Sequence, residues 1–300
     1  MTDDVTQRMV ELEDGGVLEV HLVNWSTTPD DAPVAVDLHG TPSWGRPAGT
    51  TRAAAAARGV RLVAPTRAGY STSSPAPGRD VAAVAADVAA VLDALGVGRV
   101  VVMGTSGGGP HALATAALLG DRVAAVASIA GVGPYGADGL DFLAGMGQDN
   151  IDEFGAALTG EGALRSYLEE QRAGLADLTP ELLAQSWSSL LPPVDVAIVT
   201  GSALAGELVE SIEHALAPGI QGWLEDDLAF CTDWGFSLDD LRCPVSVWQG
   251  GVDLMVPAAH GAWLAQRIPA ARAHLLPDEG HLSIAVGKVG EVLDELLPSL

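Results

Sequence analysis

The sequence predicts an α/β fold, in which a mostly parallel, twisted sheet carries helices on both faces and is interrupted by a helical insertion. Short β-branched runs alternate with helical stretches over the first 133 residues, a pattern typical of parallel strands joined by crossover helices. The alternation stops between residues 134 and 235 and returns from residue 245 onwards. We therefore predict a core formed by residues 1–133 and 236–300, with residues 134–235, hereafter the insertion, forming a helical cap.

The elements of the core follow in chain order. Residues 5–12 and 17–23 alternate around a Gly-Gly turn, which predicts an antiparallel hairpin. Further predicted strands lie at residues 34–38, 61–64, 100–103, 123–129, 245–248 and 273–276. Predicted helices lie at residues 51–58, 80–95, 112–119, 257–267 and 282–297. Because the insertion separates two late strands, we expect it to cover the carboxyl edge of the sheet, where α/β folds bind ligands.

Composition limits the classes of protein that fit. The chain has 300 residues, of which 48% are hydrophobic and 18% are charged, so it can bury a sizeable core. Its formal net charge of −24 argues against nucleic acid and anionic membrane surfaces as partners. No apolar run is long enough to span a bilayer, and the first residues contain no apolar segment of a secretory signal. We therefore expect a cytoplasmic protein without membrane insertion, and we make no prediction of its oligomeric state.

The stretch that carries chemistry is Gly104-Thr-Ser-Gly-Gly108, which fits the pattern G-x-S-x-G. A buried strand is predicted before it and a helix after it, so the chain must turn within a few residues and present Ser106 at the apex. A side chain at residue 104 or 108 would crowd such a turn, which explains the glycine on both sides. The Ser106 hydroxyl then lies beside a helix N-terminus, where backbone N–H groups stabilise negative charge. We interpret Ser106 as a nucleophile.

A serine nucleophile needs a base, and the base needs an acid that orients it. His281 follows the last predicted strand and Asp253 follows the strand before it, so we expect both at the same sheet edge as Ser106. The chain order serine, aspartate, histidine is the order that this architecture uses. The other histidines and two rival acids have weaker contexts; they are His21, His111, His214, His260, His274, Asp233 and Asp278.

Two backbone amides are candidate donors to the oxyanion of an acyl-transfer reaction. Gly107 follows the nucleophile, and Thr41 lies in the loop after the third predicted strand. Pro42 has no N–H and is excluded. His39, in the same loop, has the alternative role of buttressing the loop through its ring nitrogens.

These motifs carry a family resemblance. They are His39-Gly-Thr-Pro42, Arg67-Ala-Gly-Tyr-Ser71, Gly104-Thr-Ser-Gly-Gly108, Gly251-Val-Asp253 with Pro257, and Glu279-Gly-His281. With them the chain resembles the α/β-hydrolase superfamily, and within it the members that have a cap domain. The resemblance implies an eight-stranded sheet, a triad of Ser106, His281 and Asp253, and neither a metal nor an organic cofactor. The run Gly107-Gly-Gly-Pro-His-Ala112 is similar to the carboxylesterase-like and proline-iminopeptidase-like branches.

We expect a hydrolase that cleaves a small or medium carboxylic ester through an acyl-enzyme. An aminopeptidase for N-terminal proline or a similar residue is the second hypothesis, and a lyase or a ligand-binding protein on the same scaffold is the third. Haloalkane dehalogenases and epoxide hydrolases resemble the chain at His-Gly-x-Pro, but they have an aspartate where this chain has Ser106, which argues against both activities. Hydroxynitrile lyases and cofactor-free haloperoxidases keep the serine triad and remain open.

Aromatic and acidic residues mark the expected pocket for a small-molecule substrate. Trp44 and Tyr70 lie in loops that should flank its entrance, and Trp187 and Trp223 of the insertion either line an apolar pocket or form the core of the cap. The insertion holds 18 Asp and Glu against two Arg. We interpret this charge as a solvated outer face. The alternative is a carboxylate that faces the pocket and binds a cationic amine, as an iminopeptidase requires.

Overall fold

The computed structural model describes residues 4–175, 178–201 and 203–300. Its strands are β1 (Val5–Glu11), β2 (Val17–Val23), β3 (Val34–Leu38), β4 (Arg61–Pro65), β5 (Val100–Thr105), β6 (Val123–Ile129), β7 (Val245–Gly250) and β8 (Arg272–Leu276). They form one sheet in the order β1-β2-β4-β3-β5-β6-β7-β8. The pairs β1–β2 and β2–β4 are antiparallel, and all other neighbours are parallel. The prediction of a mostly parallel, eight-stranded sheet is therefore confirmed.

Helices connect the strands and form the insertion. They are α1 (Gly49–Ala57), α2 (Val84–Leu95), α3 (Gly108–Leu119), α4 (Gln148–Thr159), α5 (Glu161–Gly174), α6 (Pro180–Ser186), α7 (Pro193–Gly201), α8 (Ala203–Leu216), α9 (Gln221–Phe230), α10 (Ala258–Arg267), α11 (His281–Gly287) and α12 (Val289–Leu296). Within the described residues, none of them is both long enough and apolar enough to cross a membrane.

Helix α3 begins at Gly108, four residues before its predicted start, and two further helices differ from their predicted bounds by more than two residues or by a break. Helix α2 begins at Val84 rather than at residue 80, because Asp80 Oδ1 accepts the N–H of Ala83 and holds the preceding residues in a turn. The predicted helix 282–297 is two helices, which meet at Lys288, where φ is −107°. The break lets α11 pack against the insertion while α12 packs against the sheet.

Each face of the sheet has its own apolar core, since successive side chains of a strand point to opposite faces. Val100 and Val102 of β5 belong to a cluster with α2, α3 and α10. Val101 and Met103 of the same strand belong to a second cluster with α1 and α12. Helices therefore cover both faces, as the alternation of strands and helices predicts.

Helices α4 to α9 lie between β6 and β7, and no strand occurs among the described residues of the insertion. Leu164 and Leu168 of α5 belong to a third apolar cluster. Trp44, Tyr70 and Leu282 of the core belong to the same cluster. Each of these three residues follows the carboxyl end of a strand, so the insertion packs on that edge of the sheet. Its status as a separate cap domain stays a prediction.

Candidate active site

Ser106 lies in a tight turn between the end of β5 and the start of α3. Its φ is +55°, a left-handed conformation that costs about 1 kcal/mol or more for a residue with a side chain. The Ser106 N–H donates to the carbonyl of Ile129 on β6 at 2.8 Å, which helps to hold this conformation. A Cβ at Gly104 would lie 2.1 Å from the carbonyl oxygen of Gly108, and a Cβ at Gly108 would lie 2.0 Å from that of Leu38. Both positions therefore require glycine.

His281 and Asp253 form a buried hydrogen-bonded pair at the same sheet edge. His281 Nδ1 donates to Asp253 Oδ2 at 2.8 Å. Asp253 Oδ2 also accepts from Gln249 Nε2, and its Oδ1 accepts the N–H groups of Met255 and Val256. Four donors thus fix the carboxylate, which in turn fixes the imidazole ring. Because Nδ1 carries the donated hydrogen, the lone pair of neutral His281 is on Nε2.

The protonation of His281 depends on opposing effects. Burial lowers the pKa of this histidine, whereas the carboxylates of Asp253 and then Asp195 raise it, and the net pKa lies above the ordinary value. Ser106 and His281 line the same cavity. Within the described part of the chain Ser106 Oγ makes no hydrogen bond, and a serine–histidine contact of this kind commonly tightens only when substrate binds.

The loop after β3 contacts the Ser106 turn. A Cβ at Gly40 would lie 3.4 Å from Ser106 Cβ, and a Cβ at Gly107 would lie 2.3 Å from Thr41 Oγ1. The two candidate oxyanion donors, the amides of Thr41 and Gly107, therefore belong to segments in direct contact. Only glycine at residue 107 permits this approach.

His39 buttresses that loop. Its Nε2 accepts the backbone N–H of Arg67 at 3.0 Å, so its Nδ1 donates to the carbonyl of Gly40 at 2.8 Å. Burial, followed by the nearby Arg67 guanidinium, lowers the pKa of His39 well below its ordinary value. His39 is therefore neutral, which is the state that can both donate and accept.

Asp226, on α9, anchors the same loop from the insertion. Its fully buried carboxylate is surrounded by five side chains, those of Thr41, Arg67, Tyr70, Arg79 and His111. Burial alone would raise the pKa of Asp226, but Arg67 and Arg79 hold it well below the ordinary value. A carboxylate of the insertion and two arginines of the core thus form one buried ionic network, which ends at Thr41.

A cavity of about 290 Å³ adjoins these groups. Its apolar wall includes the predicted residues Trp44, Trp187 and Trp223. The fourth predicted residue, Tyr70, does not border the cavity. Its side chain is fully buried, where the hydroxyl donates to Asp226 at 2.9 Å and the ring packs on Gly222. We therefore correct its expected role: Tyr70 supports the anchor at Asp226 and does not flank the entrance.

Two carboxyl groups meet in the cavity wall, Glu153 on α4 and Asp227 on α9. Burial and then the Glu153 charge raise the pKa of Asp227 well above its ordinary value. Burial also raises the pKa of Glu153. Trp223 Nε1 donates a further hydrogen bond of 2.9 Å to Glu153 Oε1. Burial therefore disfavours the charged form of both carboxyl groups.

The acidic residues of the insertion differ in exposure, and four of them are half-buried, namely Asp149, Glu153, Glu207 and Glu210. The exposed ones are Asp138, Asp141, Asp152, Glu161, Glu169, Glu170, Glu181, Glu213 and Asp233. For these the interpretation as a solvated face is correct. It is wrong for four buried ones, Asp195, Glu225, Asp226 and Asp227. Asp177 lies outside the described residues.

One signal in the sequence could have revealed part of this buried group. The three successive acids at residues 225–227 have Trp223 and Leu224 before them and Ala229 and Phe230 after them. A solvated helix face repeats its charges every three or four residues, so three acids in a row between apolar neighbours cannot all face solvent.

Residues 38–288 match the model of a family described as alpha/beta hydrolase fold. The chain is 36% identical over 58 residues to a probable lysophospholipase, BODYGUARD 1, of Arabidopsis thaliana, and 46% identical over 50 residues to a pimeloyl-(acyl-carrier protein) methyl ester esterase of Aromatoleum aromaticum. These segments cover 19% and 17% of this chain, and 12% and 20% of the two relatives. A solved hydrolase from Pseudomonas aeruginosa PA01 has a TM-score of 0.70 at 20% identity, covering 96% of this chain and 97% of that chain.

Proposed function

Because the chain belongs to the alpha/beta hydrolase family, we propose that it is a serine hydrolase that cleaves a small or medium carboxylic ester. The observation that carries the proposal is the hydrogen-bonded pair of His281 and Asp253 on the cavity that Ser106 also lines. The name of the pimeloyl methyl ester esterase supports ester chemistry in the same direction.

In the proposed reaction His281 Nε2 removes the Ser106 proton as Oγ attacks the ester carbonyl carbon. Asp253 keeps the ring oriented through Nδ1 and stabilises the imidazolium that forms. The imidazolium then protonates the departing alkoxide, which leaves an acyl group on Ser106. His281 next activates a water molecule, whose attack releases the carboxylic acid and restores the serine. This sequence of steps calls for no cofactor.

The negative charge of the tetrahedral intermediate needs donors that are already in place. We assign this role to the amides of Gly107 and Thr41, because the loop of Thr41 lies against the Ser106 turn. A donor of this kind lowers the activation barrier by about 3–4 kcal/mol. His39 and the network around Asp226 would keep the Thr41 loop in position.

The cavity favours a substrate of modest size. Its volume of about 290 Å³ is at the low end of ordinary ligand pockets. Phe154 and Phe230 join the three tryptophans in its wall, so apolar acyl or alcohol groups fit it best. Because α4, α8 and α9 supply much of this wall, we propose that residues 134–235 act as a cap over a core of residues 1–133 and 236–300.

The test is intact-protein mass spectrometry after reaction with a fluorophosphonate probe. We expect one adduct on the wild type and none on Ser106→Ala. Ser166→Ala is the matched control, since Ser166 is an exposed serine of α5 whose hydroxyl bonds its own helix, and it should label like the wild type. Esters of increasing acyl length then define the substrate. An adduct on Ser106→Ala, or no adduct on folded wild type, contradicts the assignment.

One feature of the cavity wall favours a second candidate, an aminopeptidase. Burial raises the pKa of both Glu153 and Asp227, and a substrate ammonium group would favour the ionised form of the carboxyl group that it contacts. The test compares the rates at which the protein hydrolyses an aminoacyl amide and the analogue of that amide without the amino group. If the candidate is right, Glu153→Gln lowers the preference for the amine-bearing substrate by about tenfold or more, whereas the exposed control Glu170→Gln keeps it. An unchanged preference in Glu153→Gln eliminates the candidate.

A further inference from the structure

The insertion reaches His281 through one carboxylate. Asp195 lies in the first turn of α7 and is fully buried. Its Oδ2 accepts the backbone N–H of His281 at 2.7 Å, and its Oδ1 accepts the N–H of Ser283 at 2.9 Å. Both donors belong to the first turn of α11, where backbone N–H groups have no partner in their own helix. A residue 86 positions away along the chain therefore completes the start of the helix that carries His281.

The chain before His281 leaves room for this contact. A Cβ at Gly280 would lie 2.4 Å from Asp195 Oδ2, so the carboxylate can approach only because residue 280 is glycine. Gly280 has no side chain that could satisfy the first N–H groups of α11 itself. Its own N–H donates to Ser283 Oγ at 2.8 Å. A neutral acceptor would satisfy these donors equally, whereas Asp195 also brings a negative charge next to the candidate base.

Two carboxylates from different segments of the chain act on the His281 imidazole. Asp253, on the loop after β7, binds the ring at Nδ1, and Asp195, on α7, binds the backbone of the same residue. Both favour the protonated ring against the effect of burial. Asp278 and Glu279 precede His281 on its own loop, where Asp278 is exposed to solvent and Glu279 is half-buried.

We propose that Asp195 is a positioning residue for His281: it fixes the backbone of the base and supplies a second buried negative charge that stabilises the imidazolium. The inference rests on the proposed function, in which His281 holds the proton taken from Ser106. His281 is neutral in the enzyme–substrate complex and becomes an imidazolium only as the reaction proceeds. The charge of Asp195 therefore affects kcat rather than KM. The insertion then contributes to the chemistry of the core as well as enclosing the substrate.

Two neutral replacements remove the charge of Asp195. Asp195→Asn keeps the size of the side chain and one acceptor oxygen but removes the charge. Asp195→Ser places a smaller neutral acceptor at the same position, and provides a second variant if the first folds poorly. Glu181→Gln is the matched control, because Glu181 is an exposed carboxylate in the first turn of α6, also in the insertion.

The first measurement is the pKa of His281 by NMR titration of its ring in the free protein, with the signal assigned by its loss in His281→Gln. We expect the pKa to fall by about half to one unit in both Asp195 variants and to stay unchanged in Glu181→Gln. The second measurement is the pH profile of ester hydrolysis. The acid limb of kcat/KM should move to lower pH, and kcat should fall about 3–10-fold with KM within about twofold.

Two results overturn the proposal. One is an unchanged His281 pKa in both Asp195 variants. The other is a loss of activity by the same factor at every pH, which identifies a purely structural role. The NMR titration needs no turnover, so it also separates this inference from the proposed function. A lowered pKa in a protein whose Ser106 takes no fluorophosphonate refutes the hydrolase assignment and still supports the link between Asp195 and His281.

Discussion

Thr41 Oγ1 donates a 2.6 Å hydrogen bond to Asp226 Oδ2, and this bond joins the loop beside Ser106 to helix α9 of the insertion. The guanidinium of Arg67 binds the same carboxylate and also the carbonyl of Gly40. The loop that carries the candidate oxyanion donor is therefore held by a buried ionic group of another segment. Its geometry depends on the insertion as much as on the core.

Replacing Thr41 tests this dependence. Thr41→Val keeps the backbone amide but loses the bond to Asp226, so we expect kcat to fall about 5–30-fold, corresponding to about 1–2 kcal/mol. Thr41→Ser retains the hydroxyl and should stay close to the wild type. Steady-state kinetics on one ester measure both. Equal activity of the valine and serine variants would show that the bond does not position the loop.

Removing the carboxylate of Asp226 should have a larger effect on stability. Asp226→Ala leaves two buried arginines, Arg67 and Arg79, without their shared partner. We expect a loss of about 3–5 kcal/mol in the free energy of unfolding, measured by urea denaturation. Asp152→Asn, at an exposed position of α4, should change it by less than about 0.5 kcal/mol. Similar values for the two variants would contradict the picture of a buried network.

The glycines of the Ser106 turn make a structural prediction that needs no substrate. In Gly108→Ala the new Cβ would lie 2.0 Å from a backbone oxygen of Leu38. We therefore expect the free energy of unfolding to fall by about 3 kcal/mol or more, or the protein not to fold. Gly155→Ala is the opposite case, since Gly155 lies inside α4 with no atom within 4 Å of the added Cβ. The free energy of unfolding of that variant should rise by about 0.5–1 kcal/mol. Thermal unfolding of the two proteins measures the contrast.

The His281 pKa gives a prediction for pH dependence. It lies above the ordinary 6.5, so the protonated pair with Asp253 stabilises the fold fully below the unfolded pKa and loses that contribution as pH rises through the folded pKa. Hydrolysis needs the neutral ring, so kcat/KM should rise over the same interval. In Asp253→Asn the folded pKa falls, the acid limb moves to lower pH, and kcat drops about a thousandfold or more. A limb that stays in place would show that another group titrates.

The fold was predictable because its signals are local. The β-branched runs at residues 34–38 and 123–129 coincide with β3 and β6, and the two late strands extend only slightly beyond their predicted ends. Ser106, Asp253 and His281 each lie within five residues of the end of a strand, and parallel strands bring such positions to one edge. These candidate site residues could therefore be predicted from their positions after the strands along the chain.

The contributions of the insertion were not predictable in the same way. Asp195 and Asp226 bind partners that are 86 and 185 residues away along the chain, and neither lies in a sequence motif from which its partner could be inferred. The partners that they meet depend on how helices pack, which the hydrophobic pattern of a single helix does not determine. The place of Tyr70 was unpredictable for the same reason, because its loop position favours an entrance whereas Gly222 of the insertion covers its ring.

The bond between Thr41 and Asp226 has a consequence for protein engineering. Exchange of the segment over the carboxyl edge is an obvious way to build chimeras with new specificity. Here a transplanted segment would arrive without the carboxylate that neutralises Arg67 and Arg79. The chimera would contain two buried arginines without their shared carboxylate, and the Thr41 loop would lose its contact with the insertion, whatever pocket the transplanted segment supplied. A successful donor must therefore place an acid at the position of Asp226, and recombination libraries should be filtered on that residue before any choice of lining side chains.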